Sequence, residues 1–435
     1  YREIATLALE YRERFKEPPG AHTLDLFDTA KERDEDRAEL YERLYESVLE
    51  TVKDINVRFV VDRARAFVRY QTLKRAIAAS LRDLDREDEE GLAAAETALT
   101  GALRDTYAAF DPGVRFIHDL PGSLAFFETR EEGLPTGIPA LDDAGLGPAP
   151  GRLHMYVSKT KTGKSWWLIN LATRAHQHAR RVLYVTLELS REEVCQRLVM
   201  SFFAMSDRQS EGVTYKRFFI NGEPDKGGLD FELTTIKNVK ALRDPESRSI
   251  VEKKLKQFQS SAKLIVKEFP QSTLTVKQLD AYLQMLEQHE GFIPDLLIVD
   301  YMDKMRLPEG DQRWEGIIYL AEQMKRIAQE RRIAVATVSQ VKVSAANSRR
   351  VDSSSADGAW GKASIADTII TYSQTDEEKR DGLARLFVAG ARAGEDRFEV
   401  LISQSYEIGQ YVLSSVRLGK RYYQSNKAFH EDAGD

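Results

Sequence analysis

The chain has 435 residues, of which 42% are hydrophobic and 30% charged, and its formal net charge is −6. This length exceeds what one compact core usually holds, so we expect two domains. No apolar run reaches the roughly 18 residues that a membrane span requires, and the single cysteine, Cys195, excludes an internal disulfide framework and a cysteine-rich zinc site. We therefore expect a globular cytoplasmic protein without membrane contact. The acidic balance argues weakly against nucleic acid, although a ring or cleft can concentrate positive charge locally.

Residues 1–108 are predicted to be helical throughout. The most strongly periodic run places Leu40, Leu44, Val48 and Val52 at helical intervals within charged sequence. Two further helical runs follow it. No catalytic cluster stands out among them, so we interpret this region as a helical assembly or docking domain.

A break in composition separates this region from the rest of the chain. Residues 109–134 are rich in proline and glycine and are predicted to form a linker with one short helix near residues 123–130. Over residues 135–435, short apolar runs alternate with helical patterns, which predicts a mostly parallel α/β sheet. Within that domain, residues 206–261 are polar and irregular, and we expect them to insert loops or a small hairpin.

The segment SKTKTGKS, residues 158–165, fits the phosphate-binding pattern G-x-x-x-x-G-K-[ST] except at its first position, where Ser158 replaces glycine. An apolar strand precedes the segment and a helix follows it, so backbone N–H groups and the helix dipole would face the phosphates. Gly163 permits close approach, Lys164 would reach the β- and γ-phosphates, and Ser165 would hold Mg²⁺. The alternative is a basic turn that merely precedes a helix. The predicted nucleotide-binding residues are Thr160, Lys161, Thr162, Gly163, Lys164, Ser165 and Trp166, although Trp166 and its neighbour Trp167 also suit packing in the core.

Four polar residues lie at or just beyond the ends of later elements. Asp300 ends the apolar run PDLLIVD and is predicted to bind Mg²⁺ together with Ser165. Glu188 follows the run RVLYVTL and can polarise the attacking water, with a place at the start of the next helix as its alternative. Gln340 can sense the γ-phosphate, and Arg392 can reach a neighbouring subunit's nucleotide as an arginine finger, with an ordinary surface position as its alternative. We expect all four at the same strand ends, where open α/β sheets bind ligands.

The order of these segments resembles the RecA-type ATPase domain of replicative DNA helicases of the DnaB family, in the form found in bacteriophages. The resemblance rests on LPTGIPALDDAGLGPAPGRLHMYVSKTKTGKS, YVTLELSREEVCQRLV, DLLIVDYMDKMR, ATVSQ and LFVAGARAG. It implies an α/β RecA-like P-loop ATPase domain with a mostly parallel sheet, preceded by an all-α N-terminal domain. It also implies a ring hexamer that hydrolyses ATP or another nucleoside triphosphate with Mg²⁺ and moves on single-stranded DNA, typically 5′ to 3′. A primase or a helicase loader would be its partner, in the bacterial host cytoplasm if the chain is encoded by a phage.

The resemblance carries the family's site residues onto this sequence. The lysine and serine of the phosphate loop match Lys164 and Ser165, and the catalytic glutamate matches Glu188. The aspartate of the second motif matches Asp300, and the sensor glutamine matches Gln340.

Arg392 matches the arginine that acts in trans, and two positions depart from the family pattern. Ser158 replaces the usual glycine or alanine at the mouth of the phosphate loop. Gly390 stands where many relatives carry a lysine, two residues before the arginine. This second departure leaves Arg392 alone, or helped from elsewhere.

Two basic loops are expected to face the central channel of such a ring. Loops of this composition suit contact with the DNA backbone and little sequence preference, and ordinary solvated loops are the alternative. The candidate DNA-binding residues are Arg306, Arg313, Arg349, Arg350, Trp360 and Lys362.

Other functions stay open on the sequence. A recombinase or clock-type ATPase of the same core would form a filament or a double-domain ring, and the helical N-terminal domain argues against it. A non-hydrolysing assembly or loader-binding protein would use the loop only structurally, and Glu188 and Arg392 argue against that. A nucleic-acid-independent kinase would need an acceptor-binding signature, which we do not find.

Overall fold

The computed structural model describes residues 2–15, 19, 22–53, 57–86, 88–108, 133–159, 162–221, 228–258, 263–308, 313–340, 361 and 364–418. The chain divides into two compact units, Tyr1–Glu128 and Thr129–Asp435, which are taken separately below. Most of the predicted linker, including its short helix, lies outside the described residues.

The first unit is helical, as its periodicity predicts. Its helices are α1 (Arg2–Phe15), α2 (Thr23–Arg33), α3 (Ala38–Lys53), α4 (Val57–Leu84) and α5 (Glu89–Ala108). Apolar side chains at helical spacing from the first three helices form a small core that includes Leu7, Leu26 and Phe27. Helices α4 and α5 are joined by a short connection, and the buried hydroxyl of Ser80 donates to the carbonyl oxygen of Ala95 at 3.1 Å.

The second unit alternates strands and helices. Its strands are β1 (Leu153–Ser158), β2 (Val182–Thr186), β3 (Gly212–Asn221), β4 (Gly228–Lys237), β5 (Leu264–Glu268), β6 (Leu296–Asp300), β7 (Ala334–Gln340), β8 (Thr368–Ser373), β9 (Leu383–Ala391), β10 (Glu399–Ser405) and β11 (Gln410–Leu418). Its helices are α6 (Pro139–Asp142), α7 (Lys164–Gln177), α8 (Arg191–Phe203), α9 (Pro245–Phe258), α10 (Val276–Glu290), α11 (Arg313–Arg331) and α12 (Asp376–Arg380). None of the described helices in either unit combines the length and apolar character needed to cross a membrane.

Within the described residues, nine strands form one sheet in the order β11–β10–β9–β8–β1–β7–β6–β2–β5. The ladders from β8 through β1 to β5 are parallel, and those from β8 to β11 are antiparallel. Ser158 pairs with Gln340, and Thr186 pairs with Asp300, so the carboxyl ends of β1, β7, β2 and β6 lie together. We call this end of the sheet the carboxyl edge and the opposite end the amino edge. The architecture is the predicted RecA-like α/β fold with a mostly parallel sheet.

Both faces of the sheet are covered, which explains why its strands read as continuous apolar runs. In β1, Leu153, Met155 and Val157 enter one core cluster, whereas Tyr156 enters the other. Trp167 of α7 is fully buried and stacks on Tyr156, with ring centroids 5.3 Å apart and an interplanar angle of 16°. Trp167 is therefore a core residue, as its sequence position predicts.

The polar insertion contains the expected hairpin. Strands β3 and β4 pair from Gly212 and Lys237 to Asn221 and Gly228 as a separate two-stranded sheet. Helix α9 follows the hairpin and is not anticipated from the sequence, because charged residues outnumber the apolar ones in it. Strands β10 and β11 are also not predicted from the sequence. They extend the sheet on its antiparallel side.

Candidate nucleotide-binding site

The loop between β1 and α7 lies at the carboxyl edge. Ser158 is buried at the end of β1, and its hydroxyl donates to the carbonyl oxygen of Lys159 at 3.3 Å. The same oxygen accepts a hydrogen bond from the Thr162 hydroxyl at 2.7 Å and one from Lys164 Nζ at 3.4 Å. A serine is thus accommodated at the first loop position because its hydroxyl has an acceptor beside it. The predicted residues Thr160 and Lys161 lie outside the described residues.

Gly163 precedes the first residue of α7 and has φ of +87°, a conformation that favours glycine. A Cβ atom built at this position would lie only 1.9 Å from the hydroxyl oxygen of Tyr406. Tyr406 belongs to the turn between β10 and β11, which also lies at the carboxyl edge. The loop therefore needs glycine here both for its backbone angle and for the close approach of this tyrosine.

Lys164 is the first residue of α7, and only 6% of it is exposed. Burial lowers the pKa of Lys164, and the carboxylates of Glu188, Asp300 and Asp303 oppose that effect. These three groups reach the site from the ends of β2 and β6. The ammonium group thus stands at a helix N-terminus among three carboxylates, where a phosphate chain with a divalent cation would be matched in charge.

Asp300 ends β6 and is fully buried. Its Oδ2 atom accepts a hydrogen bond from the Tyr184 hydroxyl at 2.8 Å, whereas Oδ1 has no hydrogen-bond partner among the described residues. Burial raises the pKa of Asp300, and the nearby hydroxyl groups of Tyr184 and Ser165 oppose the rise.

Carboxylate and hydroxyl oxygens such as those of Asp300 and Ser165 suit Mg²⁺, which usually takes one or two protein ligands beside substrate phosphates. The described residues contain no cluster of three or more histidine, cysteine or acidic side chains that would hold a metal ion alone. The donor set therefore fits a cation shared with phosphate oxygens.

Glu188 is exposed two residues beyond the end of β2. The turn that carries it is fixed on both sides, because the Thr186 hydroxyl bonds to the backbone of Leu189 at 2.8 and 3.1 Å. Ser190 and Glu193 form the capping box that begins α8. Glu193, not Glu188, is thus the capping carboxylate of α8.

Gln340 ends β7 between β1 and β6, and its Nε2 atom donates to the Tyr301 hydroxyl at 3.1 Å. The ring of Tyr301 also lies 5.9 Å from Lys164 Nζ and 5.7 Å from Lys304 Nζ. Tyr301 therefore links the candidate sensor to the phosphate loop.

Three tyrosines of the site are missed by motif reasoning, namely Tyr184, Tyr301 and Tyr406. Tyr301 has a signal in the sequence, because it directly follows Asp300. Tyr184 lies two residues before the end of β2, in register with Ile298 rather than with Asp300. Tyr406 comes from a strand pair that the sequence did not predict.

Trp166 packs beside the loop rather than in the deep core. Its ring stacks on Tyr406 with centroids 5.5 Å apart and an angle of 4°, and the Arg197 guanidinium lies 5.1 Å from its ring centroid. The indole thus connects the start of α7 to the turn after β10.

Arg392 lies at the opposite edge of the sheet from the other candidates, which corrects the expectation that all four share one edge. Ala391, the last residue of β9, pairs with Thr368 at the start of β8, and Thr368 pairs with His154 near the start of β1. From Leu153 to the phosphate loop, β1 spans roughly 16 Å at about 3.3 Å per residue. The reason is the antiparallel direction of β9, which returns the chain to the amino edge.

The candidate DNA-binding residues are only partly described. Arg306 is exposed after β6, and its backbone N–H donates to the carbonyl oxygen of Leu274 at 2.9 Å. Arg313 is the first residue of α11, and its side chain lies outside the described set. Arg349, Arg350, Trp360 and Lys362 also lie outside the described residues.

Comparison with known proteins agrees with this geometry. Residues 230–396 match the family model of the DnaB-like helicase C terminal domain. The chain is 23% identical over 239 residues to the DnaB-like replicative helicase of Enterobacteria phage T4, which covers 53% of this chain and 44% of that protein. The chain thus spans less than half the length of this curated relative.

Two solved structures share the fold. A structure described as an ATPase domain aligns with a TM-score of 0.54 and 15% identity over 69% of this chain and 99% of that chain. A DnaB-like replicative helicase, described with its interactions with primase, aligns with a TM-score of 0.53 and 14% identity over 89% of this chain and 87% of that one.

The sheet order and the phosphate loop at its carboxyl edge define a RecA-type P-loop ATPase fold. Residues 230–396 match the DnaB-like helicase C terminal domain, and this match confirms the resemblance inferred from the motifs. The matched range includes Asp300, Gln340 and Arg392, and the phosphate loop lies before it.

Replacing Tyr184 by phenylalanine tests the support of Asp300. We expect Tyr184→Phe to raise the Mg²⁺ concentration for half-maximal binding of a fluorescent ATP analogue by about tenfold, because loss of a hydrogen bond behind a metal ligand weakens metal affinity. Tyr411→Phe is the matched control, since it also deletes a buried tyrosine hydroxyl, the one bonded to Tyr156 at 2.8 Å. Equal Mg²⁺ requirements in the two variants would contradict the assignment.

Alanine substitutions at two glycines with positive φ test whether the phosphate loop needs glycine at residue 163. Gly163→Ala should weaken binding of the same analogue about tenfold, since strain of about 1 to 3 kcal/mol is added beside Tyr406. Gly145 has φ of +68° and nothing within 4 Å of a built Cβ, so Gly145→Ala should leave binding unchanged. Adding Tyr406→Ala to Gly163→Ala should recover part of the loss, and a double variant no better than Gly163→Ala alone would show that Tyr406 is not the obstacle.

Proposed function

We propose that this protein is an ATP-driven replicative DNA helicase that forms a ring hexamer and moves 5′ to 3′ along single-stranded DNA. One observation carries the proposal. Lys164, Glu188 and Asp300 converge at the carboxyl edge, whereas Arg392 lies at the amino edge of the same sheet. A single copy therefore holds two incomplete halves of a hydrolytic site, and a second copy completes each.

In the proposed site, each of these residues has a separate role in phosphoryl transfer. Lys164 and the N-terminus of α7 bind the phosphates, and Ser165 with Asp300 would hold Mg²⁺, which neutralises charge on the β- and γ-phosphates when bound. Glu188, on its anchored turn, orients the attacking water and accepts its proton. Gln340, bonded to Tyr301, reports the state of the γ-phosphate to the chain that follows β7.

Arg392 supports assembly in a head-to-tail ring. A guanidinium at the amino edge can reach only a nucleotide held at another copy's carboxyl edge, where it stabilises charge in the transition state. Contacts between unlike edges are heterologous, and such contacts close into rings when the rotation permits.

The first unit supports self-association by a second route. On α4, Phe67, Tyr70, Ile77, Leu81 and Leu84 are each between 44% and 64% exposed. These residues follow one another at spacings of three, seven, four and three, which fit the seven-residue repeat of a coiled-coil seam. Such a stripe on an exposed helix face is typical of a surface that packs against another helix.

DNA contact and partners follow from the family. The exposed Arg306, together with the basic segment after β7, supports binding to the phosphates of single-stranded DNA. The solved relative described with primase supports a primase or a loader as the partner. The host cytoplasm is then the site of action.

Mixing two inactive variants tests the hydrolytic site and the helicase activity. Wild-type protein should hydrolyse ATP faster with single-stranded DNA and should unwind a fork with a 5′ tail. Lys164→Ala and Arg392→Ala should each lose turnover by about a thousandfold or more. An equimolar mixture of the two should recover hydrolysis, because about a quarter of randomly formed interfaces then pair an intact Lys164 with an intact Arg392.

Recovery of ATP hydrolysis in the mixture would show that Arg392 acts on the nucleotide of another copy. If Arg392 acted within its own chain, the mixture would stay inactive. Hydrolysis that ignores DNA, together with no strand displacement, would reject the helicase assignment. Turnover of wild type no faster than that of Lys164→Ala would favour a protein that binds nucleotide only structurally.

The seam on α4 gives a prediction for assembly. Leu81→Glu should lower the mass of the assembly measured by light scattering, because it places a carboxylate in the apolar stripe. Arg75→Glu places the same group at an exposed position on the other side of the helix and should leave the mass unchanged. Identical masses for both variants would exclude the stripe from the assembly.

A further inference from the structure

Arg392 is exposed, yet both its backbone and its side chain are tied to one buried residue. Its backbone N–H donates to the carbonyl oxygen of Asp367 at 2.8 Å. Its Nη1 atom lies 3.5 Å from Asp367 Oδ1, with 61% of the arginine side chain exposed and 7% of the aspartate side chain. Asp367 immediately precedes β8, so this link spans the start of β8 and the end of β9.

The two carboxylate oxygens of Asp367 have different partners. Oδ2 accepts the backbone N–H of Leu153 at 2.8 Å and Lys325 Nζ at 2.6 Å. Lys325 Nζ also donates to the carbonyl oxygen of Gly151 at 2.9 Å. Oδ2 therefore holds the start of β1 and helix α11 in place, and Oδ1 is the atom that faces Arg392.

The last three residues of β9 before Arg392 are Ala389, Gly390 and Ala391, so none of them places a charged side chain beside the guanidinium. Gly390, two residues earlier, has no side chain, and a Cβ built there would meet only Ile369 Cδ1, at 3.6 Å. A long, exposed arginine side chain loses much rotamer freedom when it is held in one direction. A fixed carboxylate restricts that freedom beforehand, and a single contact at 3.5 Å is weak enough to yield to a phosphate.

We propose that Asp367 is the positioning residue of Arg392, whose Oδ1 atom aims the guanidinium from the amino edge towards the nucleotide of the adjoining copy. The proposal rests on the trans role of Arg392 in the proposed function. Asp367 itself is buried against β1 and contacts no reacting atom. Its effect on the reaction therefore passes through the arginine.

The variant Asp367→Asn distinguishes the role of Oδ1 from that of Oδ2. An asparagine can keep an oxygen towards Leu153 and Lys325 while it turns an amide NH₂ towards Arg392, which repels the guanidinium. We expect the affinity of the assembled protein for mant-ADP with aluminium fluoride, a mimic of the transferring phosphoryl group, to fall about tenfold or more, since small misplacement of a catalytic group is costly. Its affinity for mant-ADP alone should change less than about twofold, because the ADP phosphates are held at the other edge.

Lys325→Met is the matched control. It removes a partner of Oδ2 and leaves Oδ1 in place, so it should lower the thermal midpoint but keep the affinity for the aluminium fluoride complex. In the Arg392→Ala background, Asp367→Asn should have no further effect on that affinity. If Asp367→Asn does not fold, Asp367→Glu provides the test, because it retains the charge but displaces the carboxylate and should lower the same affinity.

The outcomes separate this inference from the proposed function. If Arg392→Ala binds the aluminium fluoride complex as wild type does, the trans arginine is wrong and the inference falls with it. If Arg392→Ala loses that affinity while Asp367→Asn retains it, only the positioning role is overturned. Equal losses for Asp367→Asn and Lys325→Met, or additive losses with Arg392→Ala, would mean that Asp367 acts on the fold and not through the arginine.

Discussion

The antiparallel ladder between β8 and β9 determines how the charged groups of this protein are distributed. Every strand from β8 through β1 to β5 runs in one direction, so the loops that follow them gather at the carboxyl edge. Strand β9 runs back, and its last residues leave the sheet at the amino edge. Backbone hydrogen bonding alone thus separates the arginine from the lysine and carboxylates, and no side-chain rotation could bring them together within one chain.

The carboxyl edge holds charges that are costly to bury. Burial disfavours the charged form of an ionisable group. It therefore raises the pKa of Asp300 and lowers the pKa of Lys164. The nearby carboxylate of Asp300 helps Lys164 to retain its charge, and the hydrogen bond from Tyr184 does the same for Asp300. A phosphate chain and a divalent cation would add both negative and positive charge at this edge, so a bound nucleotide would pair with the charges that the protein already holds there.

The sequence predicts those parts of the site whose position depends only on neighbouring residues in the chain. The loop before α7, the end of β6 and the end of β7 follow from apolar runs that terminate in polar residues, and these are where the structure places Lys164, Asp300 and Gln340. The direction of β9 depends on its pairing with β8, another strand of the sheet, which no pattern within β9 encodes. For the same reason Tyr406 escapes prediction, because its place beside Gly163 requires β10 and β11 to be added to the sheet first.

The carbonyl oxygen of Lys159 accepts hydrogen bonds from Ser158, Thr162 and Lys164. In a phosphate loop, a phosphate oxygen would take the same kind of donors, a hydroxyl and an ammonium group. The Lys159 carbonyl oxygen therefore occupies donors that a phosphate oxygen would use. An incoming anion would have to compete with this oxygen for them. A small or weakly charged ion gains little by this exchange, whereas a chain of phosphates that engages several donors at once gains more. In the proposed function, the Lys159 carbonyl oxygen would therefore favour a chain of phosphates over a single small anion.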